Sequence, residues 1–305
     1  MNRDSVDWRG YIPAITTAFD EAGELDIDAC DQLLTWLHGH GMHGIIVLGT
    51  TGEWFSLRPG ERKKLLNVAA ESLGGKLPLI AGCHAFTAFE AIANTKLAAD
   101  SGFDGVLLTP PPYVKPTEPE IYAFYKEVSD KCALPLCVYN WPPGTNIDMS
   151  LPLLESLANL DKVVAIKDSS ADLRHFMDVF FALKERIRVF GIPMNELGVT
   201  LVTSHDADGT MGAGGVLGCD QPNFYNELWA GNVEEARQLG RRDCKIMADW
   251  FNSDYTGKFG SAQAIFKTAL NLQGLPGGFP RAPILPIGEE GVQRIRKTLA
   301  GLGRV

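Results

Sequence analysis

Read from its N-terminus, the chain repeats one rhythm: a short apolar run, a polar or glycine-rich turn, then apolar residues at helical spacing. Eight apolar runs predict strands: Tyr11–Thr16, Gly44–Leu48, Leu77–Ala81, Gly105–Leu108, Leu136–Tyr139, Val163–Ile166, Ile187–Phe190 and, most weakly, Gly209–Met211. Most are continuously apolar rather than alternating, as parallel strands buried on both faces are. Between them, Leu65, Leu66, Ala69 and Leu73 share a helical face, and so do Phe89, Ile92, Ala93 and Leu97. Pro59 before Gly60 and Glu61 marks one helix start, and Thr117 with Glu120 three residues on predicts a capped start for another.

Strands alternating with single helices make βαβ units and a parallel sheet. The number of units predicts an α/β fold, a closed (β/α)8 TIM barrel over residues 1–223. A doubly wound open sheet is the alternative, but its glycine-rich turn after the first strand is missing, because Thr16–Phe19 contains no glycine. After Phe224 the strand signal stops. Helical patterns run to Leu272, followed by the Pro/Gly-rich stretch Leu275–Pro286 and a last short helix, so residues 224–305 are expected to form a C-terminal helical extension.

Composition narrows the function. The 305 residues fit one barrel of about 250 residues with an extension. A net charge of −9, with no basic cluster, argues against nucleic acid as a partner. It also means that an anionic substrate must be captured locally, by backbone donors and hydroxyls. The six cysteines form no C-x-x-C pair and read as free thiols, Cys83 and Cys137 within strand-like runs. The start, Met1–Gly10, has no apolar signal core, and no run reaches the ~18 apolar residues of a membrane span. The expectation is a cytoplasmic protein with no membrane partner.

In a barrel of this kind, chemistry sits at the C-terminal strand ends. Strand two is followed by Gly49-Thr50-Thr51-Gly52-Glu53, strand three by Cys83-His84, strand four by Thr109 and a proline-rich loop holding Tyr113. Strand five ends in Tyr139-Asn140, and strand six runs into Lys167-Asp168. A lysine emerging from a buried strand into an apolar mouth loses its charge more easily and becomes a nucleophilic amine. The alternative is a structural lysine paired with a carboxylate. The Gly49–Glu53 turn brings backbone N–H groups and two hydroxyls together, as a carboxylate cradle requires, although an ordinary βα turn looks the same. Tyr139 is either a phenolic acid/base or a packed core tyrosine.

Taken together, Gly49-Thr50-Thr51-Gly52-Glu53, Tyr139-Asn140 with Pro142, and Ala165-Ile166-Lys167-Asp168 resemble the dihydrodipicolinate synthase / N-acetylneuraminate lyase superfamily of Schiff-base class I aldolases. The resemblance extends from Pro13–Phe19 through Ala207-Asp208-Gly209-Thr210 to Lys267-Thr268-Ala269-Leu270-Asn271. It implies an imine between Lys167 and pyruvate or a related 2-oxo acid, with no metal and no cofactor. It further implies that Tyr139 shuttles protons, that Thr50 links this phenol to a second tyrosine, and that Thr51 grips the carboxylate beside Gly49 and Gly52. Tyr113 resembles the tyrosine that a neighbouring subunit contributes, in a homo-oligomer built as a dimer of dimers.

One departure bears on the substrate. Synthases proper carry an arginine a few residues after the tyrosine, where this chain has Gly144 in Tyr139-Asn140-Trp141-Pro142-Pro143-Gly144-Thr145. Loss of a carboxylate clamp argues against aspartate semialdehyde. The segment Ser204-His205-Asp206 departs from the family pattern too. Trp54, Phe55, Phe86 and Trp141 are expected to fill the mouth, and His84 to bond a substrate hydroxyl. The reading that follows is a lyase for aldol cleavage, aldol addition or dehydration of a 2-keto-3-deoxy sugar acid. The alternatives are dihydrodipicolinate synthase (4-hydroxy-tetrahydrodipicolinate synthase) and, in another class, a non-catalytic 2-oxo-acid-binding protein. Two further patterns carry less. The glycines of Gly212–Gly218 imitate a dinucleotide loop but lack a following βαβ unit, and a phosphate cup suits them better. His38, His40 and His43 imitate a metal cluster but precede strand two, on the face away from the chemistry.

Overall fold

The computed structural model describes residues 1–305. All eight expected strands form: β1 (Gly10–Tyr11), β2 (Ile45–Val47), β3 (Leu79–Gly82), β4 (Gly105–Leu108), β5 (Leu136–Asn140), β6 (Val163–Asp168), β7 (Arg188–Phe190) and β8 (Gly209–Thr210). Every pairing is parallel, in the order β1-β8-β7-β6-β5-β4-β3-β2. The ring closes where Ile46 N–H donates to Pro13 O (2.9 Å) and Ile15 N–H donates to Ile46 O (3.0 Å). β1 is shorter than the apolar run Tyr11–Thr16 suggests. Pro13 has no N–H, and Ala14 bridges both Ile46 and Ala213, so the chain passes between two neighbours instead of extending one ladder.

Twelve helices follow the strands or extend beyond them: α1 (Ile27–Gly39), α2 (Glu61–Leu73), α3 (Ala88–Asp100), α4 (Glu118–Lys131), α5 (Pro142–Thr145), α6 (Leu151–Ala158), α7 (Leu173–Leu183), α8 (Glu196–His205), α9 (Asp220–Ala230), α10 (Val233–Trp250), α11 (Ala262–Leu272) and α12 (Glu289–Gly301). None is long and apolar enough to cross a membrane. The architecture is a (β/α)8 barrel with extra C-terminal helices, and α9 runs without interruption across position 223/224. The expected start of α4 is present: Glu120 accepts from both the Thr117 N–H and hydroxyl, each at 2.7 Å.

The alternation of each strand is hidden by its uniform hydrophobicity. Ile46 faces the barrel interior with Trp8, Ile12, Ile80 and Phe190, whereas Ile45 and Val47 face the helices. Trp8 plugs the N-terminal end so closely that a Cβ at Gly105 would lie 2.2 Å from its indole. The face expected for α3 holds only in part: Ile92 and Leu97 pack, half-buried, against the core, but the inward face is centred elsewhere. Ala91, Thr95 and Ala98 turn inward, while Phe89 is 81% exposed. Small side chains let α3 approach the barrel, which spacing of the larger residues does not reveal.

Candidate active site

β6 reaches two residues further than its apolar run, so Lys167 lies within the ladder, paired with Tyr139 on β5 and Phe190 on β7. This register points Lys167 and Tyr139 to the same, inner face. Lys167 is 6% exposed, and its Nζ lies 4.4 Å from the centre of the Tyr139 ring. Its sequence neighbour Asp168 turns outward, where its Oδ1 accepts from Asn140 Nδ2 (3.2 Å) and Ser170 N–H (2.9 Å). The structural alternative for Lys167, a carboxylate partner, is therefore not realised. Burial without a counter-charge lowers the Lys167 pKa to about 8, with Cys137 opposing the shift weakly.

Burial pushes the Tyr139 phenol well up, and the hydroxyls of Ser169 and Thr50 hold it back in part. Ser169 has no place in the sequence motifs. It was missed because a serine after the strand carries no signal of its own until the register puts it beside Tyr139.

The Thr50–Thr51 turn is forced by backbone geometry. Leu48 and Glu53, which bracket it, both adopt left-handed conformations (φ 64° and 53°), and neither residue type favours that region. β3 passes so near that a Cβ at Gly82 would lie 2.0 Å from Leu48 O. The turn itself is closed by Gly52 N–H to Gly49 O (3.0 Å) and Glu53 N–H to Thr50 O (3.1 Å). The N–H groups of Thr50 and Thr51 take no acceptor within the chain.

Lys167, Tyr139, Thr50, Thr51 and Trp141 border one cavity of about 690 Å3. The fold thus brings together five of the residues singled out from the sequence. Gly49 and Gly52 shape the turn from behind, and Gly52 O accepts from the Thr17 hydroxyl at 2.7 Å. Tyr113 stays apart, 92% exposed with φ 82°.

The expected aromatic filling is corrected. Only Trp141 borders the cavity, whereas Trp54 packs against Phe55, Phe86 and His84, with Phe55 and Phe86 exposed. His84 is enclosed rather than offered to the mouth. Thr109 N–H donates to its Nδ1 (3.2 Å), burial drives its pKa down to about 3, and its Nε2 has no partner. Much of the remaining lining comes from the extension and from the loops after β7 and β8, with Met194, Val216, Met247, Phe251 and Tyr255 among its residues.

Gly144 also borders the cavity. A Cβ there would fall 2.2 Å from Trp141 Nε1, so the indole occupies the space of a side chain at 144. Lys167 is the sole lysine or arginine bordering the cavity. Gly214 and Gly215, from the dinucleotide-like run, are held against Phe266 and Leu37, where any Cβ would come within 2.6 Å of those side chains. His43, at the other end of the barrel, is engaged by Tyr11 N–H and Asn226 at 3.0 Å each.

Residues 7–302 match the model of the dihydrodipicolinate synthetase family. A 4-hydroxy-tetrahydrodipicolinate synthase of Oceanobacillus iheyensis is 31% identical over 95% of both chains. One from Enterococcus faecalis is 32% identical over 94% of this chain and 97% of its own. Among solved structures, the chloride-inhibited dihydrodipicolinate synthase of Acinetobacter baumannii in complex with pyruvate superposes with a TM-score of 0.87, at 28% identity, covering 97% of this chain and 99% of its own.

Proposed function

Because this chain belongs to the dihydrodipicolinate synthetase family, a family of Schiff-base-forming lyases acting on pyruvate-like 2-oxo acids, we propose that it joins pyruvate to an aldehyde through an imine on Lys167. The observation that carries this reading is the unpaired, buried Lys167 amine against the Tyr139 ring. The neutral amine attacks C2 of pyruvate, and the oxygen leaves as water. Tyr139, beside the Thr50 and Ser169 hydroxyls, carries the protons that these steps give up and require. The imine then draws the C3–H electron pair into an enamine, which adds to the aldehyde carbon, and water frees the product from Lys167.

The named activity best supported by the relatives is 4-hydroxy-tetrahydrodipicolinate synthase, with aspartate semialdehyde as the acceptor. This favours the synthase over the sugar-acid reading drawn from the sequence. Incubating the protein with pyruvate and aspartate semialdehyde and following ring formation tests it. Turnover supports the synthase, and its absence alongside intact pyruvate trapping rejects it.

A second reading rests on the rest of the cavity lining. With the indole of Trp141 over Gly144 and no arginine at the cavity, an acceptor without a carboxylate fits better, as in cleavage or formation of a 2-keto-3-deoxy sugar acid. In either case, Tyr113 is proposed to serve the site of a second copy, which its exposure supports.

A further inference from the structure

The turn that is to receive the pyruvate carboxylate is not held by the barrel alone. Helix α11 of the C-terminal extension sends two side chains to it, one helical turn apart. Gln263 Nε2 donates to Thr50 O at 3.0 Å. Lys267, 1% exposed, makes an ion pair with Glu53 and also donates to Phe279 O at 2.8 Å. The backbone following α11 closes the clamp, since Arg281 N–H donates to the other oxygen of Glu53 at 3.0 Å. Arg281 is fixed in turn by a two-pronged pair with Glu61, at 2.6 and 2.8 Å.

The Gln263 contact bears on binding through peptide geometry. The bond between Thr50 and Thr51 is trans, so its C=O and N–H point in opposite directions. With Thr50 O held by Gln263 from α11 and by the Glu53 N–H within the turn, the Thr51 N–H points the opposite way, and no group of the chain takes it up. We propose that Gln263 is a positioning residue: through Thr50 O it fixes the peptide plane that presents the Thr51 N–H to the carboxylate of the 2-oxo acid bound at Lys167. The extension is then part of the substrate-binding apparatus, acting at a residue 213 positions earlier in the chain. The inference rests on the imine reading above.

The test is borohydride trapping over a range of pyruvate concentrations, read as the Lys167 peptide adduct, for wild type, Gln263→Met and Gln263→Glu. Gln263→Met keeps the length and removes the donor. The half-saturating pyruvate concentration is expected to rise about five- to tenfold, as for one lost neutral hydrogen bond, while the adduct at saturation is kept. In Gln263→Glu the ionised carboxylate faces Thr50 O without a proton to donate. Its half-saturating concentration, relative to wild type at the same pH, is expected to fall as the pH drops through the carboxylate range. A merely structural role moves neither the split between affinity and capacity nor that ratio. Wild-type half-saturation in Gln263→Met, a ratio for Gln263→Glu that ignores pH, or an effect confined to the aldehyde's KM would each overturn the inference. If wild type traps no pyruvate at all, the imine reading falls and takes this one with it.

Discussion

The two walls of the mouth are built on opposite plans. The wall of Lys167, Tyr139, Thr50 and Thr51 stands on paired strands and a braced turn, and carries an amine, a phenol and two hydroxyls. The rest of the lining, with Met194, Val216, Met247 and Phe251, comes from loops and the extension and offers no cation. The difference follows from the chemistry. Imine formation at a 2-oxo acid needs one amine, one proton carrier and one carboxylate cradle, whatever the second reactant is. The rest of the lining has only to complement that second reactant, and here Trp141, stacked on the Tyr139 ring, and Gly144 have been fitted to each other.

The comparison is broken most severely at Lys167. Lys167→Ala is expected to abolish the pyruvate adduct, as read by peptide mass spectrometry after borohydride reduction, and an adduct persisting elsewhere would refute the assignment. Tyr139→Phe removes only the phenol proposed as the proton carrier. The expected loss in kcat is about 10²- to 10⁴-fold with the fold intact, which steady-state kinetics and a thermal melt would check together.

A smaller effect comes from pH. Burial disfavours the ammonium form, so the Lys167 pKa is lowered to about 8 and the amine is neutral above that value. Pyruvate capture, measured as kcat/KM, should therefore rise with pH to a plateau, with its midpoint near pH 8 rather than at the ordinary lysine value. His84, pushed down to about 3, adds no second midpoint near neutrality. A profile governed by a group titrating near 6.5 would contradict both assignments.

The mildest test touches only the rest of the lining. Gly144→Ala places a methyl where the Trp141 indole now lies, so the indole must move. Pyruvate half-saturation should change little, since Lys167, Thr50 and Thr51 are untouched, while the ranking of aldehydes by kcat/KM shifts as the indole moves on the Tyr139 ring. An equal loss for pyruvate would show that the two walls are not independent.

Most of the Lys167 wall was legible in the chain. Its residues sit directly at or after uninterrupted apolar runs, and a run of strand residues fixes both position and face to within the register. Thr50, Thr51, Tyr139 and Lys167 were therefore expected at strand ends, and all four border the cavity. Ser169 was not, nor were Met194, Tyr255 and Gln263, because no local pattern links them to a strand end. The aromatics misled for the same reason. Trp54, Phe55 and Phe86 lie in strand-end loops beside Trp141's, yet a loop residue's direction is set by its backbone dihedrals and packing rather than by periodicity, and only Trp141 turned inward.

By itself the sequence determined the eight-stranded barrel, through apolar runs that can be buried on both faces only in a parallel sheet covered by helices. It also determined which strand ends bear the amine, the phenol and the hydroxyls. The tertiary structure alone decided that Lys167 has no carboxylate partner, that Trp141 stands in the place of a side chain at position 144, and that α11 braces the Thr50–Thr51 turn. The reason is one of range. Periodicity and turn chemistry act over a few residues, whereas these contacts join side chains brought together by ring closure and by the return of the C-terminal helices over the mouth.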